Sequence, residues 1–257
     1  MPSLPTSPAA QAFFRALDDE QSQNQQQNPW IRKRIQTLGW RNRHSQDDSY
    51  PCTVQGRSIQ VQQVQRGEVE GTYGTGATVW PAAMVLIKYL ERHPELVQGR
   101  CVADLGAGTG LTSLAAAVLG ASKVYCTDGE ASVVRLAQDN VERCSSPGCP
   151  LVVQEFWWGR DRLPEPVDVV LVADCVLPKL YPIDPLVEAL DQLLTEDETS
   201  VAFLSYEHRY FAAYDPRVYF RESAESKGLR VDVIPLEEQD EVYSVDDIEI
   251  WRVQRQR

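Results

Sequence analysis

A glycine-rich turn between two apolar segments is the feature that most constrains the fold of this chain. The turn is Val102-Ala-Asp-Leu-Gly-Ala-Gly-Thr-Gly110, and the helical run Leu111-Thr-Ser-Leu-Ala-Ala-Ala-Val-Leu119 follows it. A short apolar run, alternate glycines and then a helical pattern are typical of a strand, a tight turn and a helix. Glycine permits positive φ and lets a ligand approach the backbone closely. The segment therefore predicts an α/β unit that binds a nucleotide-like ligand.

Apolar strand candidates alternate with helix candidates from residue 100 onward. The strands are predicted at 101–104, 123–127, 151–155, 168–173 and 200–206, and the helices at 111–119, 130–143, 182–194 and 215–227. Such alternation is typical of a parallel sheet covered by helices on both faces. Two later runs, 231–234 and 248–253, predict an antiparallel hairpin added to that sheet. We therefore predict an α/β, Rossmann-like, doubly wound sheet of seven strands, mostly parallel.

The N-terminal part of the chain has a different character. Residues 1–50 are predicted to be a helical and flexible extension, and residues 51–257 the main domain. The extension holds a helix candidate that begins at Ser7-Pro8, a glutamine-rich tract over 18–28 and a second helix candidate over 29–38. No chemistry is assigned to it. Residues 51–72 predict a β-hairpin that turns at Gly56-Arg57, and a helix is expected to begin near Pro81.

Charge and cysteine content limit the classes of partner. The 25 basic and 37 acidic residues give a formal charge of −12, which argues against a nucleic-acid binder. The charge favours a basic protein or a cationic cofactor as partner, with a contribution to solubility alone as the alternative. No apolar run approaches the length of a membrane helix, and the first residues resemble no secretory signal. The six cysteines and three histidines show no metal-binding spacing. We expect no metal, reduced thiols, a cytoplasmic or nuclear location and a monomer.

Asp104 favours one of two cofactor classes. Dinucleotide sites have the spacing G-x-G-x-x-G, whereas the glycines here are Gly106, Gly108 and Gly110. A carboxylate beside a pyrophosphate would repel it by about 1–4 kcal/mol. S-adenosylmethionine carries an ammonium and a sulfonium and no phosphate, so Asp104 favours that cofactor, with S-adenosylhomocysteine as the product. An NAD enzyme stays open as an alternative.

The carboxyl ends of the other strands supply further candidates, because ligands of open α/β sheets bind there. Asp128 ends the second strand and is placed to accept both ribose hydroxyls of either cofactor. Trp158 is a candidate for stacking on adenine, with core packing as the alternative. Asp174 follows an apolar strand directly, and a solvated turn residue is its alternative interpretation.

Four segments together resemble methyltransferase family 16, the seven-strand protein lysine methyltransferases. They are Val79-Trp-Pro-Ala-Ala-Met-Val-Leu-Ile-Lys-Tyr-Leu-Glu91, Asp104-Leu-Gly-Ala-Gly-Thr-Gly110, Phe156-Trp-Trp-Gly159 and Ala173-Asp-Cys-Val-Leu177. The strand end Ser205-Tyr-Glu-His-Arg209 is also similar to the Y-E-x-R of the branch that modifies valosin-containing protein. The resemblance covers about residues 51–254. It implies a protein substrate with an exposed lysine, such as a chaperone, an AAA ATPase or an elongation factor.

The resemblance also implies roles for individual residues. The cofactor would contact Trp80, Asp104, Gly106, Ala107, Gly108, Asp128, Trp158 and Ala173. Asp174 would face the substrate lysine. The chain departs from the family at Leu177, where the family has an aromatic residue. Tyr181 or Tyr206 would replace that aromatic, or the target differs, or the activity is weakened.

These observations predict a methyltransferase that uses S-adenosylmethionine and acts on a lysine ε-amine of a non-histone protein. Methyl transfer is an in-line displacement, so the protein mainly positions the two groups. We expect Asp174 to hydrogen-bond the amine, and Tyr206, Trp157 and Tyr181 to form the wall of the lysine channel. A small-molecule N- or O-methyltransferase is one alternative. A catalytically silent cofactor-binding module, which Leu177 favours, is the other.

Overall fold

The computed structural model describes residues 39–64, 74–144, 148–177, 182–195, 200–209 and 215–256. Its strands are β1 (Ser49–Val54), β2 (Arg57–Gln62), β3 (Cys101–Leu105), β4 (Lys123–Asp128), β5 (Leu151–Glu155), β6 (Val169–Ala173), β7 (Val201–Glu207), β8 (Leu229–Ile234) and β9 (Ile248–Arg255). Its α-helices are α1 (Pro81–Arg92), α2 (Leu111–Val118), α3 (Ala131–Arg143), α4 (Ile183–Leu193) and α5 (Pro216–Ser226). Two short 3₁₀ turns lie at Pro94–Leu96 and Leu236–Glu238.

Seven of the strands form one sheet in the order β5-β4-β3-β6-β7-β9-β8. The first five strands in this order are parallel, and β9 runs antiparallel between β7 and β8. The central strands are buried along most of their length, as expected when helices cover both faces of a sheet. The predicted α/β class and the doubly wound, mostly parallel sheet with an antiparallel C-terminal hairpin are confirmed.

Two apolar cores lie on opposite faces of the sheet. On one face α1, α2 and the β1–β2 hairpin pack on alternate residues of the central strands, such as Val102, Leu171 and Phe203. On the other face α4 and α5 pack on the intervening residues, such as Leu105 and Val172. Because side chains alternate along a strand, each central strand contributes to both cores.

The β1–β2 hairpin is confirmed, and its turn lies one residue earlier than predicted. Gln55 and Gly56 form the turn, with φ of 46° and 74°, and Arg57 already pairs with Val54. Two successive residues with positive φ are characteristic of a type I′ turn, whose twist matches that of the two strands. The sequence prediction missed this because glutamine is an uncommon residue at a positive φ.

Asn140 of α3 holds the hairpin against the glycine-rich turn. Its side chain is fully buried, accepts a hydrogen bond from the Gln62 amide at 2.7 Å and donates to the Gln62 carbonyl at 3.0 Å. The same amide group donates to the carbonyl of Thr109 at 2.9 Å. The hairpin is therefore fixed relative to the β3–α2 turn, and with it the site that the turn forms.

Helix starts agree with the capping residues in the sequence. Pro81 is the first residue of α1, and Asp215 caps α5 by accepting a hydrogen bond from the Arg217 amide at 2.9 Å. The helix candidates within residues 1–38 lie outside the described residues. Among the described helices, none is long and apolar enough to cross a membrane.

Candidate active site

The β3–α2 turn brings three glycines with positive φ to the carboxyl end of the sheet. Gly106, Gly108 and Gly110 have φ of 68°, 57° and 81°. A Cβ atom on Gly106 would lie 2.7 Å from the sulfur of Cys175, and one on Gly108 would lie 2.7 Å from the carbonyl oxygen of Gly76. Both conformation and space therefore require glycine at these two positions. The turn is therefore packed closely by Cys175 on one residue and by the Gly76 backbone on the other.

Asp104 lies fully buried at the end of β3, directly before this turn. Its Oδ2 accepts a hydrogen bond from the Ser113 hydroxyl at 2.6 Å, and its Oδ1 has no partner among the described residues. Burial raises the pKa of this carboxyl to about 7, and the neighbouring Asp128 carboxylate adds to the effect. A buried acceptor without a partner costs about 1–3 kcal/mol. A cationic donor bound at this position would remove that cost.

Asp128 ends β4, the strand next to β3, as predicted. Its Oδ2 accepts from the amide of Gly108 at 3.1 Å, and its Oδ1 accepts from the amide of Glu130 at 3.1 Å. Burial raises the pKa of this carboxyl as well. The contact to Gly108 ties Asp128 to the glycine turn, so two carboxylates flank the same stretch of backbone.

Two adjacent tryptophans lie on different parts of this edge. Trp158 packs against Gly106, where its Cζ2 is 3.2 Å from the position of a Cβ atom. Trp157 is 47% exposed and lies over Gly129, which follows Asp128. Its indole nitrogen donates to Glu155 at 2.7 Å. Trp157 is thus placed at the Asp128 side of the turn, whereas Trp158 packs on the turn itself. The predicted stacking of Trp158 on adenine remains a prediction.

Asp174 is held in a two-pronged ion pair at the end of β6. Arg209 donates from Nη1 to Oδ1 at 2.7 Å and from Nη2 to Oδ2 at 2.6 Å. Only 1% of the Asp174 side chain is exposed, and its φ is 59°. A non-glycine residue in this conformation is uncommon and is found mostly where surrounding contacts fix it. The alternative interpretation of Asp174 as a solvated turn residue is therefore wrong.

Trp80, the residue before α1, lies beside the Asp174–Arg209 ion pair. Its indole nitrogen donates to the Thr75 carbonyl at 2.9 Å, and the guanidinium carbon of Arg209 lies 5.9 Å from the centre of its ring. A cation over an indole face at this distance is attracted to it. The conformation of Arg209 is therefore set by an aromatic ring on one element and by a carboxylate on another.

Tyr206 does not lie where the sequence analysis expected it. Its ring is 1% exposed and stacks on Trp251 with ring centres 5.1 Å apart, within the core beneath α4 and α5. Side chains alternate along β7, so Ser205 and Glu207 point to the opposite face. Tyr206 therefore forms no wall of an open channel in this structure. Leu177 is also buried, and Tyr181 lies outside the described residues.

A model of a family described as lysine methyltransferase matches residues 60–224, which is more than half of the chain. The chain belongs to this lysine methyltransferase family. The resemblance given by the four sequence segments is thereby confirmed.

Named relatives carry the same description. The chain is 32% identical to a protein N-terminal and lysine N-methyltransferase, EFM7, of Eremothecium gossypii over 62% of this chain and 65% of that protein. It is 38% identical to the protein N-lysine methyltransferase METTL21A of Danio rerio, over 53% of this chain and 63% of that protein. The matched region thus spans less than two thirds of each of these relatives.

Solved structures show the same fold at low sequence identity. The CcbJ methyltransferase of Streptomyces caelestis aligns with a TM-score of 0.52 and 13% identity, over 72% of this chain and 95% of that one. A SAM-dependent methyltransferase of Agrobacterium tumefaciens aligns with a TM-score of 0.50 and 14% identity, over 82% and 71% of the two chains. At these identities the likeness concerns the architecture alone.

Arg41 is the member of the site region that sequence reasoning missed. It lies in the segment to which no chemistry was assigned, yet its side chain is only 5% exposed. Its Nη2 lies 2.6 Å from Oε1 of Glu207, and its Nη1 lies 2.8 Å from Oδ1 of Asp247. These partners are 166 and 206 residues away in the chain, so no local pattern could have identified the contact.

Proposed function

We propose that this chain binds S-adenosylmethionine and transfers its methyl group to a lysine ε-amine of a non-histone protein. The observation that carries the proposal is the carboxyl of Asp104, which is buried beside a glycine turn with one oxygen lacking a partner among the described residues. The chain that carries this carboxyl belongs to the lysine methyltransferase family. A pyrophosphate cofactor would be repelled at this position, and a cationic amino acid group would be attracted.

The described residues fit the cofactor's polar groups. Asp104 would pair with its ammonium, and Asp128 would accept from the ribose hydroxyls. The backbone of Gly106, Ala107 and Gly108 would lie along the cofactor. The remaining predicted contacts are with Trp80, Trp158 and Ala173. When bound, the cofactor supplies a methyl group that its sulfonium has already activated for displacement.

The acceptor lysine has to be neutral in order to attack, although the ordinary pKa of its ammonium is about 10.4. A bare carboxylate beside it would stabilise the ammonium and oppose the reaction. Asp174 is paired with Arg209, and together they carry no net charge. Oδ1 of Asp174 accepts from Arg209 at 2.7 Å and from the Glu207 amide at 3.3 Å, whereas Oδ2 accepts from Arg209 alone among the described residues. Oδ2 therefore keeps a second lone-pair site that can accept a hydrogen bond from the amine. The pair would thus orient the lysine without favouring its protonated form.

The substrate is proposed to be a protein with a basic segment around the lysine. The formal charge of −12 would draw such a segment to the surface. One relative is named for calmodulin-lysine and another for both the N-terminus and lysine of proteins. For this chain we propose a non-histone protein such as a chaperone, an AAA ATPase or an elongation factor. We also propose that it acts as a monomer in the cytoplasm or nucleus.

Labelling tests the proposal directly. The protein is incubated with S-adenosylmethionine labelled in its methyl group and with a cell lysate. We expect one labelled protein band that yields methyl-lysine on hydrolysis. Asp104→Asn and Asp174→Asn should abolish most of the label, whereas Asp139→Asn, an exposed aspartate on α3, should keep it.

Two other results would support the competing functions. Label found only in small molecules would identify a small-molecule methyltransferase. Binding of S-adenosylhomocysteine without any label would identify a silent module, the function that the buried Leu177 favours. Stabilisation by NAD rather than by S-adenosylhomocysteine would refute the choice of cofactor.

A further inference from the structure

We propose that Arg41 is a positioning residue of the active site, which holds Glu207 so that Arg209 stays paired with Asp174. The inference rests on the proposed function, since it gives Arg41 a part in presenting the lysine. It assigns a role to the segment that precedes β1. In the sequence this segment carried no sign of chemistry.

The geometry is a chain of alternating charges. Asp247 contacts Arg41 at 2.8 Å, Arg41 contacts Glu207 at 2.6 Å, and Arg209 contacts Asp174 at 2.6 Å. The two halves meet where Nη2 of Arg209 lies 3.9 Å from Oε2 of Glu207. The side chains of Arg41, Arg209 and Asp174 are at most 8% exposed, so water screens these charges little.

Arg209 has two carboxylates within reach. It is bonded to Asp174 through both of its terminal nitrogens, and one of them also donates to the backbone carbonyl of Glu207 at 3.0 Å. The Glu207 carboxylate is the competitor, and Arg41 satisfies its other oxygen. With Arg41 present, Glu207 and Asp174 each have a guanidinium partner, and Arg41 also pairs with Asp247. Without Arg41, the Arg209 guanidinium would have to pair with both the Glu207 and the Asp174 carboxylates.

Arg41 is itself fixed by its neighbour in sequence. The ring of Trp40 packs on that of Tyr243 with centres 4.9 Å apart, and its indole nitrogen donates to the carbonyl of Val242 at 3.0 Å. The segment before β1 is therefore anchored on the loop before β9. This anchoring delivers Arg41 to the end of β7, where Glu207 lies.

Loss of Arg41 should affect the chemical step more than binding. Arg209 would shift toward Glu207, and Asp174 would be left partly unpaired beside the substrate amine. An unpaired carboxylate stabilises the ammonium, which binds but does not react. We therefore expect Arg41→Met to lower kcat by about tenfold or more, while the KM for the labelled protein stays unchanged or falls.

A rescue experiment separates positioning from simple stabilisation. Arg41→Met, Glu207→Gln and the double variant are compared by the rate of methyl transfer to the labelled lysate protein. Glu207→Gln removes the competing charge, so the double variant should regain the rate of Glu207→Gln alone. Arg43→Met, an exposed arginine two residues away, is the matched control and should behave as the wild type. A double variant as slow as Arg41→Met, or an Arg41→Met variant with normal kcat, would overturn the proposal.

NMR of the arginine side chains tests the positioning role of Arg41 without requiring methyl transfer, so its outcome does not depend on the proposed function. In protein labelled with ¹⁵N-arginine, the terminal nitrogens of Arg209 should give slowly rotating, separate signals, which Arg209→Lys identifies by their loss. We expect Arg41→Met to shift or merge these signals, and the double variant to restore them. Unchanged Arg209 signals in Arg41→Met would refute the positioning role. A wild-type protein that transfers no methyl group would refute only the proposed function, because the signals can still be read.

Discussion

The replacement Asp104→Asn should stabilise the ligand-free protein above neutral pH and weaken cofactor binding. Burial raises the folded-state pKa of Asp104 from 3.8 to about 7. Between these values the folded state holds a proton that the unfolded state has lost, so folding stability falls as pH rises. At about 1.36 kcal/mol per pH unit, the full loss is about 4 kcal/mol above pH 7. Because asparagine cannot ionise, the stability of Asp104→Asn should not fall with pH through this group.

Urea unfolding of the ligand-free protein at pH 5 and pH 8 measures the effect. The free energy of unfolding of Asp104→Asn, minus that of the wild type, should be larger at pH 8 by about 3 kcal/mol. Taking the difference between the two proteins removes the contribution of every titrating group that does not interact with Asp104, and Asp128 is the neighbouring carboxylate that does. Asp139→Asn, on the exposed side of α3, should show no such change between the two pH values.

Calorimetry of S-adenosylhomocysteine binding tests the role of the Asp104 carboxyl in holding the cofactor. The ammonium of the ligand requires the carboxylate form, so the wild-type Kd should rise by about tenfold from pH 7.5 to pH 6. Asp104→Asn should bind about 10- to 100-fold more weakly at pH 7.5, because a buried charged hydrogen bond is worth about 1.5–3 kcal/mol. Its Kd should not vary over this range. A stability difference independent of pH, or equal binding by both proteins, would refute the reasoning.

Three further substitutions test other parts of the site. Gly108→Ala places a methyl group 2.7 Å from the Gly76 carbonyl oxygen and should abolish the binding of S-adenosylhomocysteine measured by calorimetry. Gly99 also has a positive φ, but its surroundings are open, so the control Gly99→Ala should bind normally. Asn140→Ala removes three hydrogen bonds and should lower the free energy of unfolding in urea by about 2–4 kcal/mol. A loss below about 1 kcal/mol would contradict the role of Asn140 in fixing the hairpin. Tyr206→Phe keeps the ring packed on Trp251 and removes only the hydroxyl that accepts from the Arg209 amide at 3.3 Å, so methyl transfer should stay within about twofold of the wild-type rate. A large loss in the radiolabel assay would show that this hydroxyl acts in the site.

The fold could be predicted because its determinants are local. Short apolar strands alternate with helical segments, and the capping residues Asp215 and Pro216 mark the start of α5 in both sequence and structure. The positions of Asp104 and Asp128 followed from the rule that strand ends share one edge of a sheet. The alternation of Ser205, Tyr206 and Glu207 along β7 predicts that Tyr206 lies on the opposite face from the other two, but its packing on Trp251 is a contact between distant segments that the sequence does not reveal.

The ion pairs could not be predicted, because they join segments that are distant in the chain. Arg41 meets Glu207 only after the segment before β1 crosses to the end of β7. Likewise, Asp174 and Arg209 come from separate strand ends, and only the pairing of β6 with β7 brings them together. In the sequence Arg209 is the last residue of Ser205-Tyr-Glu-His-Arg209, and nothing in that pattern indicates which carboxylate its guanidinium pairs with.

The two buried carboxylates at the ends of β3 and β6 differ in a way that, under the proposed function, suits one to the cofactor and the other to the lysine. Asp104 has an oxygen with no partner among the described residues and a raised pKa, so it gains most from a ligand that brings its own positive charge. Asp174 already has a cation in Arg209 and gains little from a second one. Under the proposed function these are the required properties, because the cofactor must be bound through its ammonium, whereas the lysine must be bound as the uncharged amine. Exchanging the two environments would hold the lysine as an ammonium and prevent its methylation.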